Sequence, residues 1–142
     1  MADAYDLRRF LDAQDPVYET VLTELEAGRK RTHWMWFIFP QMRGLGHSAT
    51  ATHFGIRSRD EAVAYLEHGV LGARLRRCAR LLTSLEETSA DLVLGPVDAV
   101  KLRSSMTLFA AVADDDRDFV AVLAQYYGGE PDPRTLDLLA SD

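Results

Sequence analysis

Lys101 stands in the segment Lys101-Leu102-Arg103-Ser104-Ser105-Met106-Thr107. On a helix it faces Ser104 at i+3 and Ser105 at i+4. An amine beside a hydroxyl makes an activated nucleophile when burial lowers the amine's pKa. The order here is Lys-x-x-Ser, the reverse of the Ser-x-x-Lys motif, so that motif does not match. The same side chains could hold a phosphate or carboxylate as donors alone. The plainer reading is that small polar residues let helices approach while the lysine reaches to water. Asp98, three residues earlier, is the acid that would meet Lys101 from its own helix. Lys101 is one of only two lysines among 16 basic residues, so its position among hydroxyls in an apolar stretch is unusual.

A second group of candidates lies in His33-Trp34-Met35-Trp36-Phe37-Ile38-Phe39-Pro40. Trp34 and Trp36 point in different directions on a helix. One could enter the core while the other lines a pocket and stacks on a planar ring. Alternatively the whole run is a hydrophobic plug. His33 follows Arg29-Lys30-Arg31 and could contact an anion or transfer a proton, or simply lie at the surface. Gln41 and Ser48, on either side of Gly44-Leu45-Gly46, add hydrogen-bonding groups. That glycine stretch is too short for a phosphate-binding Walker loop and does not fit the dinucleotide fingerprint. His33, His47, His53 and His68 show no metal-binding spacing, and with a single cysteine, Cys78, no metal site is expected.

The elements that position these residues read as helices. Leu7, Phe10 and Leu11 share a face of a helix over 6–13 that Asp6 could cap. Val17, Val21, Leu22 and Leu25 form a stripe over the next helix, with Glu19, Glu24 and Glu26 outside it and Gly28 ending it. The aromatic run is read as a short helix or irregular core segment ending at Pro40, because an isolated strand has no partner; 48–54 is left open. Ser58 caps a helix over 59–68, with Glu61 as the capping-box acid. Leu71, Leu75, Cys78, Leu82 and Leu85 give the clearest amphipathic helix. Ser89 starts a short turn, helices follow over 98–113 and 117–127, and Pro133 opens a last one. No alternation or hairpin signal persists. The expected fold is all-α, one compact orthogonal multi-helix domain over 1–142.

The chain has 142 residues and a net charge of -6. That length suits one domain that needs no disulfide or metal staple. The acidic balance argues against a bulk grip on nucleic acid or an anionic membrane. No apolar run reaches the ~20 residues of a membrane span. No secretory signal is evident at the start, so a cytoplasmic protein is expected.

Taken with their spacing, several of these residues resemble the bacterial and fungal family known as domain of unknown function 1810. The likeness rests on Asp6-Leu7-Arg8-Arg9-Phe10, Ala13-Gln14, Tyr18, Gly28 with Lys30, and the run from His33 to Gln41. It continues through Gly44-Leu45-Gly46, Ser48, Leu71-Gly72 with Arg74-Leu75, and Lys101-Leu102 with the segment 104–109. It spans nearly the whole chain. Thr32 and Phe54 stand where members often carry serine and tyrosine. The resemblance implies a mainly helical domain and no particular activity or cofactor. Some members bear the label calpastatin, yet a calpain inhibitor is an extended polar chain and this composition builds a core.

The residues suggest a small polar or anionic planar ligand, nucleotide-like or ADP-ribose-like. It would be held between the aromatic segment and the Lys101 helix by His33, Trp34, Trp36, Gln41, Ser48, Lys101, Ser104 and Ser105. Nothing in them fixes a reaction. The alternative is a protein-interaction module using Trp34, Trp36 or the Arg74–Arg80 face as hot spots.

Overall fold

The computed structural model describes residues 3–142, and they form helices without a single strand. The helices are α1 (Arg8–Gln14), α2 (Tyr18–Ala27), α3 (Met35–Ile38), α4 (Ala49–Phe54) and α5 (Arg59–Glu67). They continue as α6 (Leu71–Ser84), α7 (Ala90–Leu94), α8 (Pro96–Val112), α9 (Arg117–Tyr127) and α10 (Pro133–Ala140). The all-α architecture expected from the periodicity is therefore the one observed.

Local chemistry explains most boundaries. Gly28 ends α2 with a left-handed φ of 73°, which a residue without Cβ adopts without strain. Ser48, Ser58 and Ser89 each accept a hydrogen bond from the backbone N–H three residues on, capping α4, α5 and α7. Pro96 sits in the first turn of α8, where its missing N–H costs nothing. At the first helix the structure corrects the expected cap. Asp6 has a φ of 52° and caps nothing; the Asp3 carboxylate accepts from Leu7 N and Arg8 N, at 2.8 and 2.9 Å.

The core runs from Leu7 to Leu139 and takes buried residues from every helix except α4, whose Phe54 packs against it from outside; α8 lies at its centre, packed on α5, α7, α9 and α10. Its residues Leu102, Met106, Leu108 and Phe109 are fully buried. α6 and α5 approach closely at Gly72: a Cβ there would lie 2.1 Å from the carbonyl oxygen of Leu66. Cys78 is buried on the α6 stripe, and burial pushes its thiol up to about 12, so the reactive thiolate is absent at neutral pH.

One buried ion pair fastens the two ends of the first half together. Arg9 spends its donors on the carbonyls of Tyr5, Asp6, His53 and Gly55, and on Glu61 Oε2 at 2.7 Å. Glu61 thus does not complete a capping box. Its backbone N–H bonds Ser58, but its carboxylate turns inward to Arg9 and Arg57.

Candidate functional site

The segment joining α2 to α3 is held by one acid. Glu24, 6% exposed, accepts hydrogen bonds from Arg31 N, Thr32 N, Thr32 Oγ1 and Trp34 Nε1, at 2.7 to 3.0 Å. Burial alone would raise its pKa. The four donors outweigh burial and hold the carboxyl at about 2. On the other side, Lys30 N donates to Val93 O at 2.8 Å, tying the segment to α7. These bonds dictate where Lys30, His33 and Trp36 point.

Both lysines of the chain meet at Asp98, in the first turn of α8. Lys30 Nζ lies 2.9 Å from Asp98 Oδ2, and Lys101 Nζ lies 3.5 Å from Asp98 Oδ1. Each ammonium also sits over one of the two tryptophans: Lys30 over Trp34 at 5.1 Å and Lys101 over Trp36 at 4.9 Å. A cation over an indole face is attracted by the ring quadrupole. Lys30 is nearly sealed, with 8% of its side chain exposed, whereas Lys101 keeps 21%.

This cluster borders an open groove of about 600 Å³. Lys30, Arg31, His33 and Trp36 form one wall; Asp98, Lys101 and the 94–97 turn form the other. A second groove of about 480 Å³ lies on the far side of Lys101, between Gln41 with the Leu45–Gly46 loop and Val100, Ser104, Asp132 and Arg134. Between them, Trp36, Phe39, Gln41, Phe54 and Lys101 pinch a crevice of about 10 Å³, room for about one water. Gln41 is placed by a bridge between Met42 and Ile56: Ile56 N donates to Gln41 O and Arg43 N to Ile56 O, both at 2.9 Å.

The eight candidate residues therefore divide. His33, Trp36 and Lys101 share the first groove, and Gln41, Lys101 and Ser104 share the second. Trp34 lies beneath the first groove, 1% exposed, and lines neither. Ser48 is exposed and is occupied as the α4 cap. Ser104 donates to Asp132 Oδ2 at 2.8 Å, which orders the start of α10. Ser105 is buried, and its hydroxyl makes no hydrogen bond among the described residues. Neither serine forms a Lys–Ser hydrogen bond, so the geometry lacks an activated nucleophile of the Lys–Ser kind. No cluster of metal-binding side chains exists among the described residues. None of the described helices is long and apolar enough to cross a membrane.

Sequence reasoning missed two residues of this region. The sequence places Glu24 outside the apolar stripe, although its i+3 spacing from Val21 puts it on the buried face. Lys30 reads as part of the basic run 29–31, although it is the only other lysine. The hot spots of an interaction module fare differently: Trp34 is sealed, and Arg74, Arg76 and Arg80 are paired with Asp15 and Asp118.

A family model described as a protein of unknown function, DUF1810, matches residues 4–139. The chain is also similar to a solved structure, the conserved hypothetical protein Rv1873 from Mycobacterium tuberculosis. The two are 56% identical, with a TM-score of 0.95 over 97% of this chain and 99% of that one. No curated protein matches the chain.

Proposed function

The chain belongs to the DUF1810 family of proteins of unknown function, and from that premise we propose that it binds a small ligand carrying an anionic group and a planar ring, nucleotide-like or ADP-ribose-like, in the groove between the aromatic segment and the start of α8. One observation carries the reading. Lys101 is held over Trp36 at 4.9 Å, yet its pairing with Asp98 is long, at 3.5 Å, and the amine faces an open groove. A cation fixed beside an indole in a concavity of this volume matches the dimensions and polarity of small-molecule sites. Arg31 and His33 add donors on the same wall. Binding is the claim; no residue arrangement here specifies a reaction.

The test is a titration of the protein with adenosine 5′-monophosphate, ADP-ribose and adenosine, followed by backbone NMR shifts and repeated on Lys101→Met. A lost charged hydrogen bond corresponds to about 1.5–3 kcal/mol, so affinity for the anionic ligands falls by roughly 10- to 100-fold while the fold persists. Equal affinity in both proteins, or shifts that map away from Trp36 and Lys101, would sink the reading.

A further inference from the structure

Resting on the groove reading above, we infer that the anionic group is a phosphoryl dianion and that Asp98 is its built-in stand-in, a carboxylate that holds the two lysines until the phosphoryl group displaces it. The chain is acidic overall, at -6, yet this groove runs against that balance. Its charged walls are Lys30, Arg31 and Lys101 against the single carboxylate of Asp98, so two positive charges are left uncompensated there. Arg31 forms no ion pair among the described residues, and its side chain is exposed. A chain that uses arginine for 14 of its 16 basic positions places both its lysines on one acid.

The pairing is unequal in a way that suits exchange. Asp98 offers one oxygen to each ammonium, the arrangement in which an anion with several oxygens bridges two cations. It holds Lys30 at 2.9 Å but Lys101 only at 3.5 Å. The tryptophans keep both ammonium groups in place by their ring faces, independently of the carboxylate. When a phosphoryl group enters the groove, the lysines need not move far; only the short Asp98 side chain must turn away. A monoanionic carboxylate is the weaker partner for this site, because a dianion also answers the charges that Asp98 leaves over. The groove volume, about 600 Å³, admits a small phosphate ester.

The experiment measures the affinity of inorganic phosphate and of adenosine 5′-monophosphate for the wild type, Asp98→Asn and Asp98→Ser, at matched ionic strength in chloride. Removing the competing carboxylate strengthens both by roughly tenfold, the scale of one partly screened unit charge, and leaves adenosine unchanged. Phosphate binding that is equal or weaker in the neutral variants overturns the displacement. So does an equal gain for adenosine. In the unsubstituted protein, the Asp98 carboxyl carbon resonance moves on saturation with phosphate; a stationary resonance overturns the proposal without any variant. Nucleotide binding that Lys101→Met weakens, with no gain in Asp98→Asn, defeats this inference alone. Absence of any nucleotide binding defeats the groove reading with it.

Discussion

Arg9 with Glu61 and Lys101 with Asp98 are both pairs of opposite charge, and they are built in opposite ways. Arg9 and Glu61 are sealed, with side chains 5% and 0% exposed and a contact of 2.7 Å. The guanidinium donors are taken up by four backbone carbonyls as well as by the acid. Nothing is left over for a ligand. At Asp98 the acid is shared between two lysines, one contact is long, and the residual charge borders open space. A completely satisfied ion pair fixes a fold, and an incompletely satisfied one that keeps access to solvent has binding capacity in reserve. Burial alone does not separate the two cases, because Lys30 is almost as covered as Arg9.

The largest effect should come from breaking the sealed pair. Arg9→Met leaves the Glu61 carboxylate buried beside only the half-exposed Arg57, and costs about 3–5 kcal/mol in urea unfolding. A loss under 1 kcal/mol would erase the distinction drawn between the clusters. Next is Glu24→Gln, which removes a charge that four donors converge on and destabilises by roughly 2–4 kcal/mol. Acid should reproduce it. The folded carboxyl titrates at about 2 against an ordinary 4.5, so its contribution is complete above 4.5 and is lost as the pH falls towards 2. Emission from Trp34, whose indole N–H then meets a neutral acid in place of a carboxylate, reports the step; an emission unchanged down to pH 2 would contradict it. The smallest effect is that of Lys101→Met on stability, less than about 1 kcal/mol for a partly exposed pair. A larger loss would move Lys101 into the same class as Arg9 and make it part of the framework.

The sequence disclosed the helices well because their signals are local. Ser58, Ser89 and Gly28 mark boundaries through bonds or dihedrals that span only a few residues, and all three appear where expected; Pro96 instead opens α8 two residues before the expected start at Asp98. The sites where acids are buried were less legible. Glu24 falls on an inward face by its i+3 spacing from Val21, and Glu61 by its i+4 spacing to Tyr65, but Glu24 reads as lying outside the stripe and Glu61 as a capping-box acid. Their cations or donors come from outside the helix: residues 31–34 for Glu24, and α1, 52 residues away, for Glu61. Periodicity within one helix cannot reveal a partner that distant in the chain. Lys101 was visible because it is rare, and its link to Asp98 because both lie on α8. Lys30 needed the fold, since α7 and α2 bring it there.

The scarcity of lysine has a practical side. Reagents that attack primary amines find, besides the N-terminus, only Lys30 and Lys101 in this chain. Of these, Lys101 is the more open, with 21% of its side chain exposed against 8%. Acylation or carbonyl coupling there would uncouple Lys101 from Asp98 and plug the groove with the attached group, while the arginine-rich remainder of the surface stayed untouched. Immobilising the protein through its amines would therefore orient many molecules with this face against the support. A biotin or dye joined at Cys78 would demand unfolding first, because the thiol is buried in the core.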